Sequence, residues 1–176
     1  MKRRTAIRQL VVVAGGLALL PSCLSGPGNA AIKLSNIILS GEQEKTLAEI
    51  AGTIIPATDT PGAKELGVHL FVLKMLDDCY EKDAQQKFIK GLGQADQVAK
   101  ERFGASFTKC KPEQRQELIS DIENKASLPA EIFDFYQIMK QKTLQGYLSS
   151  EYVMTKQLIY EMAPGRYNGY FPVKAS

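Results

Sequence analysis

From Ser40 to Ile159 the apolar residues recur three and four positions apart, and no stretch alternates convincingly with period two. That spacing gathers them on one face of an α-helix, so the chain is constrained to helices packed side by side. Proline and glycine divide the pattern. Ser40 followed by Gln43 has capping-box spacing, and Leu47, Ile50, Ala51 and Ile54 carry a first helix to Pro56, which disfavours a helical residue before it. PATDTPGA (Pro56–Ala63) is a turn-rich loop. A second helix bears Val68, Val72, Met75, Leu76 and Cys79 on one stripe. A third runs from about Asp83 to Phe103, with Phe88, Leu92, Ala95 and Ala99 inward and Gly104 suited to its end. Pro112 opens a fourth, where proline is welcome, and Leu118, Ile119, Ile122 and Ala126 follow. Pro129 opens a fifth, whose Ile132, Phe133, Tyr136, Met139 and Leu144 form a wide apolar face. A short sixth helix is expected over Glu151–Ile159, before APGRYNGYFPVKAS, too rich in proline and glycine to be helical. The expected fold is all-α, an irregular bundle of five to six helices with a non-helical C-terminal tail.

The N-terminus reads as an address. Lys2, Arg3, Arg4 and Arg8 precede an apolar run from Leu10 to Leu20, eleven residues, where a bilayer span needs roughly 20. A basic region followed by a short apolar one is an export signal. RRTAIRQL, with Arg3 and Arg4 adjacent, fits the twin-arginine form used for proteins exported already folded; an ordinary Sec signal is the alternative. LLPSC resembles the lipobox of bacterial lipoproteins, in which Cys23 is acylated and residues 1–22 are removed. Two or more acyl chains hold a protein on a membrane where one does not. Residues 23–39 then read as a tether with an apolar end, NIIL, that packs on the domain of residues 40–176. The other reading is a cleaved soluble protein with Cys23 discarded or free.

Removing the leader changes the charge. The chain has 22 Lys+Arg and 19 Asp+Glu, and four of the basic residues lie in residues 1–22, leaving 18 against 19, a net of −1. Basicity belongs to the address, so nucleic-acid binding loses its compositional support. Of the remaining cysteines, Cys79 and Cys110 have no metal-ligand spacing and leave a disulfide open.

Catalytic signals are sparse. His69, the single histidine, has no Cys or acidic cluster at ligand spacing and reads as a packed or solvated side chain, as Asp77 and Asp78 read as a solvated pair on a helix surface. GLG (Gly91–Gly93) lies inside a helical pattern with no preceding strand and is not a dinucleotide fingerprint. No catalytic, cofactor-binding or metal residue is assigned. Two segments carry more constraint than connectors need. One is PATDTPGA. The other is PGRYNGYFP, where Tyr167, Tyr170 and Phe171 stand near Arg166, a composition enriched at protein interfaces; alternatively the rings fold back over the core.

TIIPATDTPGAKELGVHLFVLKMLDDCY (Thr53–Tyr80) resembles the N-terminal half of the gluconate 2-dehydrogenase subunit 3 family. TLQGYLSSEYVMTKQLIYEMAPGRYNGYFPV (Thr143–Val173) resembles its C-terminal signature, a Gly-Tyr and Ser-Glu pair before a Pro-Gly-x-Tyr-x-Gly tail. The resemblance implies a non-catalytic small subunit of a periplasmic sugar or sugar-acid dehydrogenase. Its partner would be a large FAD-containing subunit of the glucose–methanol–choline type, with a cytochrome c subunit among the possible electron acceptors. In such complexes the small subunit often carries the twin-arginine signal for both chains, which accounts for an export label on a chain without chemistry of its own. The family's loop maps onto Pro56, Asp59, Thr60, Pro61 and Gly62, its second block onto Gly146, Tyr147, Ser150 and Glu151, and its tail onto Pro164, Gly165, Tyr167 and Gly169. With Arg166 and Tyr170 these supply the expected partner interface. Relatives often have cysteine where this chain has Tyr170, so attachment rests on packing.

The expected function is therefore an accessory subunit that escorts, stabilises and anchors a flavin dehydrogenase at the periplasmic membrane surface. The alternative is a free-standing envelope lipoprotein that binds a ligand or another envelope protein. An enzyme acting through His69 is a further rival, detectable as sugar-dependent dye reduction by the isolated chain.

Overall fold

The computed structural model describes residues 32–124, 128–158, 160, 162, 163, 165, 167, 169 and 170. Five α-helices lie among them: α1 (Gly41–Ile54), α2 (Val68–Cys79), α3 (Lys82–Phe103), α4 (Pro112–Glu123) and α5 (Ala130–Leu148). A 3-10 turn (Phe107–Lys109) precedes α4, a π-helical turn (Val153–Gln157) follows α5, and no β-strand occurs among the described residues. The chain is all-α, as its periodicity predicts.

Local chemistry sets the ends. The Ser40 hydroxyl accepts the Gln43 N–H at 3.2 Å while the Gln43 side chain accepts the Ser40 N–H at 3.0 Å, the reciprocal cap expected from the spacing. Gly104 closes α3 in the left-handed region at φ 71°. Pro112 occupies the first turn of α4.

Long helices α3 and α5 make the most extensive contact in the fold. Phe88 and Phe135 meet edge to face at 4.7 Å, a favoured aromatic geometry. The backbones approach so closely beside them that a Cβ on Gly91 would lie 2.4 Å from the Glu131 carbonyl oxygen. Gly91 is thus the half of GLG that packing requires; Gly93 faces open space. Leu47 and Ile50 of α1, Leu73 and Leu76 of α2, Leu118 of α4 and Ile132 and Met139 of α5 complete the interior.

Several expectations change. On α5 the inward positions are Ile132, Phe135, Tyr136, Met139, Thr143 and Gly146, while Phe133 is half-buried and Leu144 is exposed. Near the end of α5, Gly146 lies against Val68 and Phe71 at the start of α2, and Leu144 falls outside the inward stripe. Cys79 is solvent-exposed and Cys110 is buried, and neither forms a disulfide; the Cys110 thiol donates to the Ala105 carbonyl at 3.6 Å. Helix α2 ends at Cys79, and the buried Gln85 amide reaches back from α3 to the carbonyls of Leu76, Asp77 and Tyr80 at 3.0, 3.2 and 2.9 Å. The sixth helix is a π-helical turn ending at Gln157; Ile159 lies outside the described residues, as does Ala126 of the fourth.

Asp77 is the largest correction. It is buried, and its carboxylate accepts the backbone N–H groups of Ser35 and Asn36, each at 2.7 Å, and of Ile37 at 3.0 Å. Asn36 returns a side-chain bond to the Asp77 carbonyl at 3.0 Å. Burial alone would raise the carboxyl pKa, but the three N–H donors stabilise the anion and hold it below the usual aspartate value. The pre-helical segment is therefore stitched to α2, with Ile37 and Leu39 in the core and Ile32 and Leu34 packed against it.

Candidate docking site

The loop after α1 is a closed, internally bonded turn. Ala63 donates its N–H to the Ile55 carbonyl at 2.9 Å and Thr58 donates to the Thr60 carbonyl at 3.0 Å. Gly62 donates to the Glu65 carboxylate at 3.1 Å. The turn folds tightly on Gly62: a Cβ there would sit 2.5 Å from the Ala57 nitrogen and 2.7 Å from the Ile55 oxygen. Pro56, Ala57, Thr58 and Asp59 consequently project into solvent, while Thr60 and Pro61 are half-buried.

The C-terminal end of α5 holds this loop. Tyr147 donates its hydroxyl to the Pro61 carbonyl at 3.1 Å. One residue earlier, a Cβ on Gly146 would lie 2.6 Å from Phe71 and 3.0 Å from Val68, so glycine permits the approach that puts Tyr147 within reach. Below the loop, Glu49 of α1 pairs with Lys64 at 2.7 Å and with Arg115 of α4. The Arg115 guanidinium also donates to the carbonyls of Phe107 and Thr108 at 3.0 and 2.6 Å. Loop, α1, α4 and α5 are thus tied as one frame.

Beyond α5, the Ser150 hydroxyl donates to the Tyr147 carbonyl at 2.7 Å and Thr155 to the Glu151 carbonyl at 2.8 Å, local bonds that continue the helix into the π-helical turn. A groove of about 450 Å³ has Glu65 and Leu66 on one side and Ser150, Glu151 and Tyr152 on the other. π-Helical turns occur often at functional sites.

The predicted interface residues divide accordingly. Pro61, Gly62 and Tyr147 are drawn into one bonded unit; Pro56 and Asp59 lie on its exposed rim, with Thr60 beside them; and Glu151 opens on the groove. Gly165, Tyr167, Gly169 and Tyr170 are exposed, the two rings at 97 % each. Arg3, Arg4, Cys23, Pro164 and Arg166 lie outside the described residues. Leu148, 60 % exposed, and Leu158 were missed, because an apolar residue on a helix reads as core. The only available signal was that each falls off its helix's inward stripe.

His69 lies half-buried near Glu44 and Lys64, and its Nδ1 has no hydrogen-bond partner among the described residues. Burial lowers its pKa against the opposing attraction of Glu44. Among the described residues no group of three His, Cys, Asp or Glu side chains is placed to hold a metal, and no helix is long and apolar enough to cross a membrane. What the frame presents is a rigid loop, a groove and exposed apolar side chains.

That is a small helical chain whose exposed large apolar side chains, among the described residues, fall mostly at or after Leu144 in sequence. The family model for gluconate 2-dehydrogenase subunit 3 matches residues 41–165, and the chain belongs to that family. No curated protein and no solved structure matches it.

Proposed function

We propose that this chain is the non-catalytic small subunit of a periplasmic flavin-dependent sugar or sugar-acid dehydrogenase. It docks on a large FAD-containing subunit, carries it through twin-arginine export by means of Arg3 and Arg4, and holds it at the membrane through acylated Cys23. The family's name supports membership in a dehydrogenase complex. The observation that carries the docking role is the distribution of exposed apolar side chains. Of the large ones exposed among the described residues, all but Ile38 fall at or after Leu144: Leu144, Leu148, Leu158, Tyr160, Met162, Tyr167 and Tyr170. So many exposed apolar side chains within one segment of the chain suit a surface that something covers. Leu144 and Leu148 share the end of α5 with Tyr147, which pins the loop, so a partner meeting them finds a preorganised frame with little ordering cost.

In this reading FAD belongs to the partner, and this chain contributes no proton or hydride step. A stable interface needs over ~1,200 Å² in total, to which the tail rings add area as well as the helical leucines. The test is to isolate the mature chain from its native envelope and record the absorbance of what accompanies it. A flavin spectrum with sugar-dependent dye reduction in the co-purified fraction is expected. A monomer eluting without a yellow companion overturns the reading.

A further inference from the structure

A second exposed surface lies at the other end of α2. Val68, at the start of that helix, faces Gly146 and the docking frame; Asp77, at its end, clamps Ser35, Asn36 and Ile37. Nine residues of helix separate the two, a rise of about 14 Å. The clamp holds Ile37 and Leu39 in the core, and the extended backbone between them turns Ile38 outward, 95 % exposed. Beside Ile38 runs a groove of about 540 Å³ walled by Ile37, Ile38 and Ile89, with Gln86, Lys82 and Lys90 on its polar side and no carboxylate in its lining. Lys90 is steadied by Glu131 at 2.6 Å; Lys82 makes no ion pair with a described residue. Lys33 is exposed just before the clamp.

Apolar walls beside ammonium groups suit an amphiphile with a negative head. The tether says which. Nine peptide steps lead from Cys23 to Ile32, a reach of at most about 30 Å, and the chain meets the groove a few residues on, at Asn36.

We infer that the face formed by Ile38, Ile89, Lys82 and Lys90 seats on an anionic phospholipid surface, orienting the subunit with its docking frame turned away from the membrane. The inference rests on the lipid-anchor reading above. Ile38 enters the interfacial region, and the lysines meet phosphate groups, as basic and apolar side chains do in surface-bound proteins. The Asp77 clamp keeps Ile38 from folding back, so the insertion needs no rearrangement. An anchor alone leaves a domain free to tumble on its tether; a seated face fixes which end meets the catalytic partner.

The sequence contains no tryptophan, so Ile38→Trp and Leu148→Trp each introduce a single reporter at an exposed position. The full lipidated chain is reconstituted in vesicles of phosphatidylethanolamine and phosphatidylglycerol, with and without brominated acyl chains. The expected result is a blue-shifted emission for Ile38→Trp, quenched by the brominated lipid, and unshifted emission for Leu148→Trp. Adding Lys82→Glu to Ile38→Trp should lower the seated fraction about five-fold or more. If wild-type protein floats with the vesicles and Cys23→Ser does not, yet Ile38→Trp is neither shifted nor quenched, the face inference is wrong while the anchor stands. An emission shift that arises only when the purified dehydrogenase partner is added also overturns it, since a protein then covers the groove. If Cys23→Ser leaves flotation unchanged, the anchor reading fails and takes this orientation with it.

Discussion

Asp77 accepts the backbone N–H of Asn36 at 2.7 Å across 41 residues of sequence, and the same carboxylate serves Ser35 and Ile37. A carboxylate has lone pairs for three donors, whereas an amide offers one oxygen and two unwanted protons. Asp77→Asn should therefore cost about 1–3 kcal/mol of stability, with fast hydrogen exchange appearing first at Ile37. The pH dependence follows from the lowered pKa. The unfolded chain binds a proton on Asp77 more readily than the folded one, so the stabilisation is complete above the ordinary aspartate pKa of about 3.9. It is lost as pH falls through the lower folded value. Urea unfolding followed from pH 7 downward should show a steeper acid loss in wild type than in Asp77→Asn; equal slopes would exclude the clamp as its source.

Gly91 and Gly93 lie two residues apart on α3 and predict opposite signs. A methyl group on Gly91 meets the Glu131 backbone and the Phe135 side chain, at 2.4 and 2.5 Å. Helix backbones cannot yield as a flexible side chain does, so Gly91→Ala should destabilise by about 1–3 kcal/mol. Gly93 is exposed within α3 with nothing within 4 Å of an added Cβ. Gly93→Ala should stabilise by about 0.5–1 kcal/mol. Thermal unfolding of the two variants reads both signs in one experiment.

Helical content, the cap at Ser40, the stop at Pro56 and the opening at Pro112 could be read from the sequence because each is a local signal acting within one turn. Asp77 could not: the donors that bury it lie 40 to 42 residues away, and adjacent to Asp78 it looks like ordinary helix surface. Leu144 and Leu148 failed for the complementary reason. Periodicity says which residues share a face, but the partner helix decides how wide a face is covered, and α2 meets α5 through Gly146. In the candidate site, the loop's constraint was visible in its prolines, its threonines and Asp59, while its fastening to Tyr147, 86 residues away from Pro61, is a property of the fold alone.

Tyr147→Phe removes the hydroxyl that holds Pro61 and nothing else. The expected loss is about 1 kcal/mol, typical of one hydrogen bond, with increased exchange at Thr58 and Ala63 as the loop loosens. Affinity for the flavoprotein partner should fall with it, because a mobile loop must be ordered again on binding. Loosened exchange with unchanged affinity would place the loop outside the interface.

Leu148→Ser separates surface from core. The side chain is mostly exposed, so the unfolding midpoint of the isolated chain should stay within about 0.5 kcal/mol of wild type. If Leu148 lies at the centre of the docking surface, loss of its buried apolar area should weaken association by about 1.5–3 kcal/mol, roughly ten-fold or more. Surface plasmon resonance against the isolated flavoprotein measures this directly. Unchanged binding would shift the interface to the tail rings, which truncation before Ala163 then removes.

Replacing Arg3 and Arg4 together by lysine tests the escort role without touching the fold. Both side chains lie in the proposed leader, and the substitutions conserve charge, so a Sec-type signal would still function. A twin-arginine signal would not, because its recognition depends on the arginine pair. In the proposed complex the flavoprotein binds FAD before export, cannot cross by the unfolded route, and depends on this chain's signal. Double substitution should therefore strand dehydrogenase activity, with its flavin, in the cytoplasm. Periplasmic activity at the wild-type level would show that the partner is exported by other means, and would reduce this chain to a stabilising and anchoring subunit.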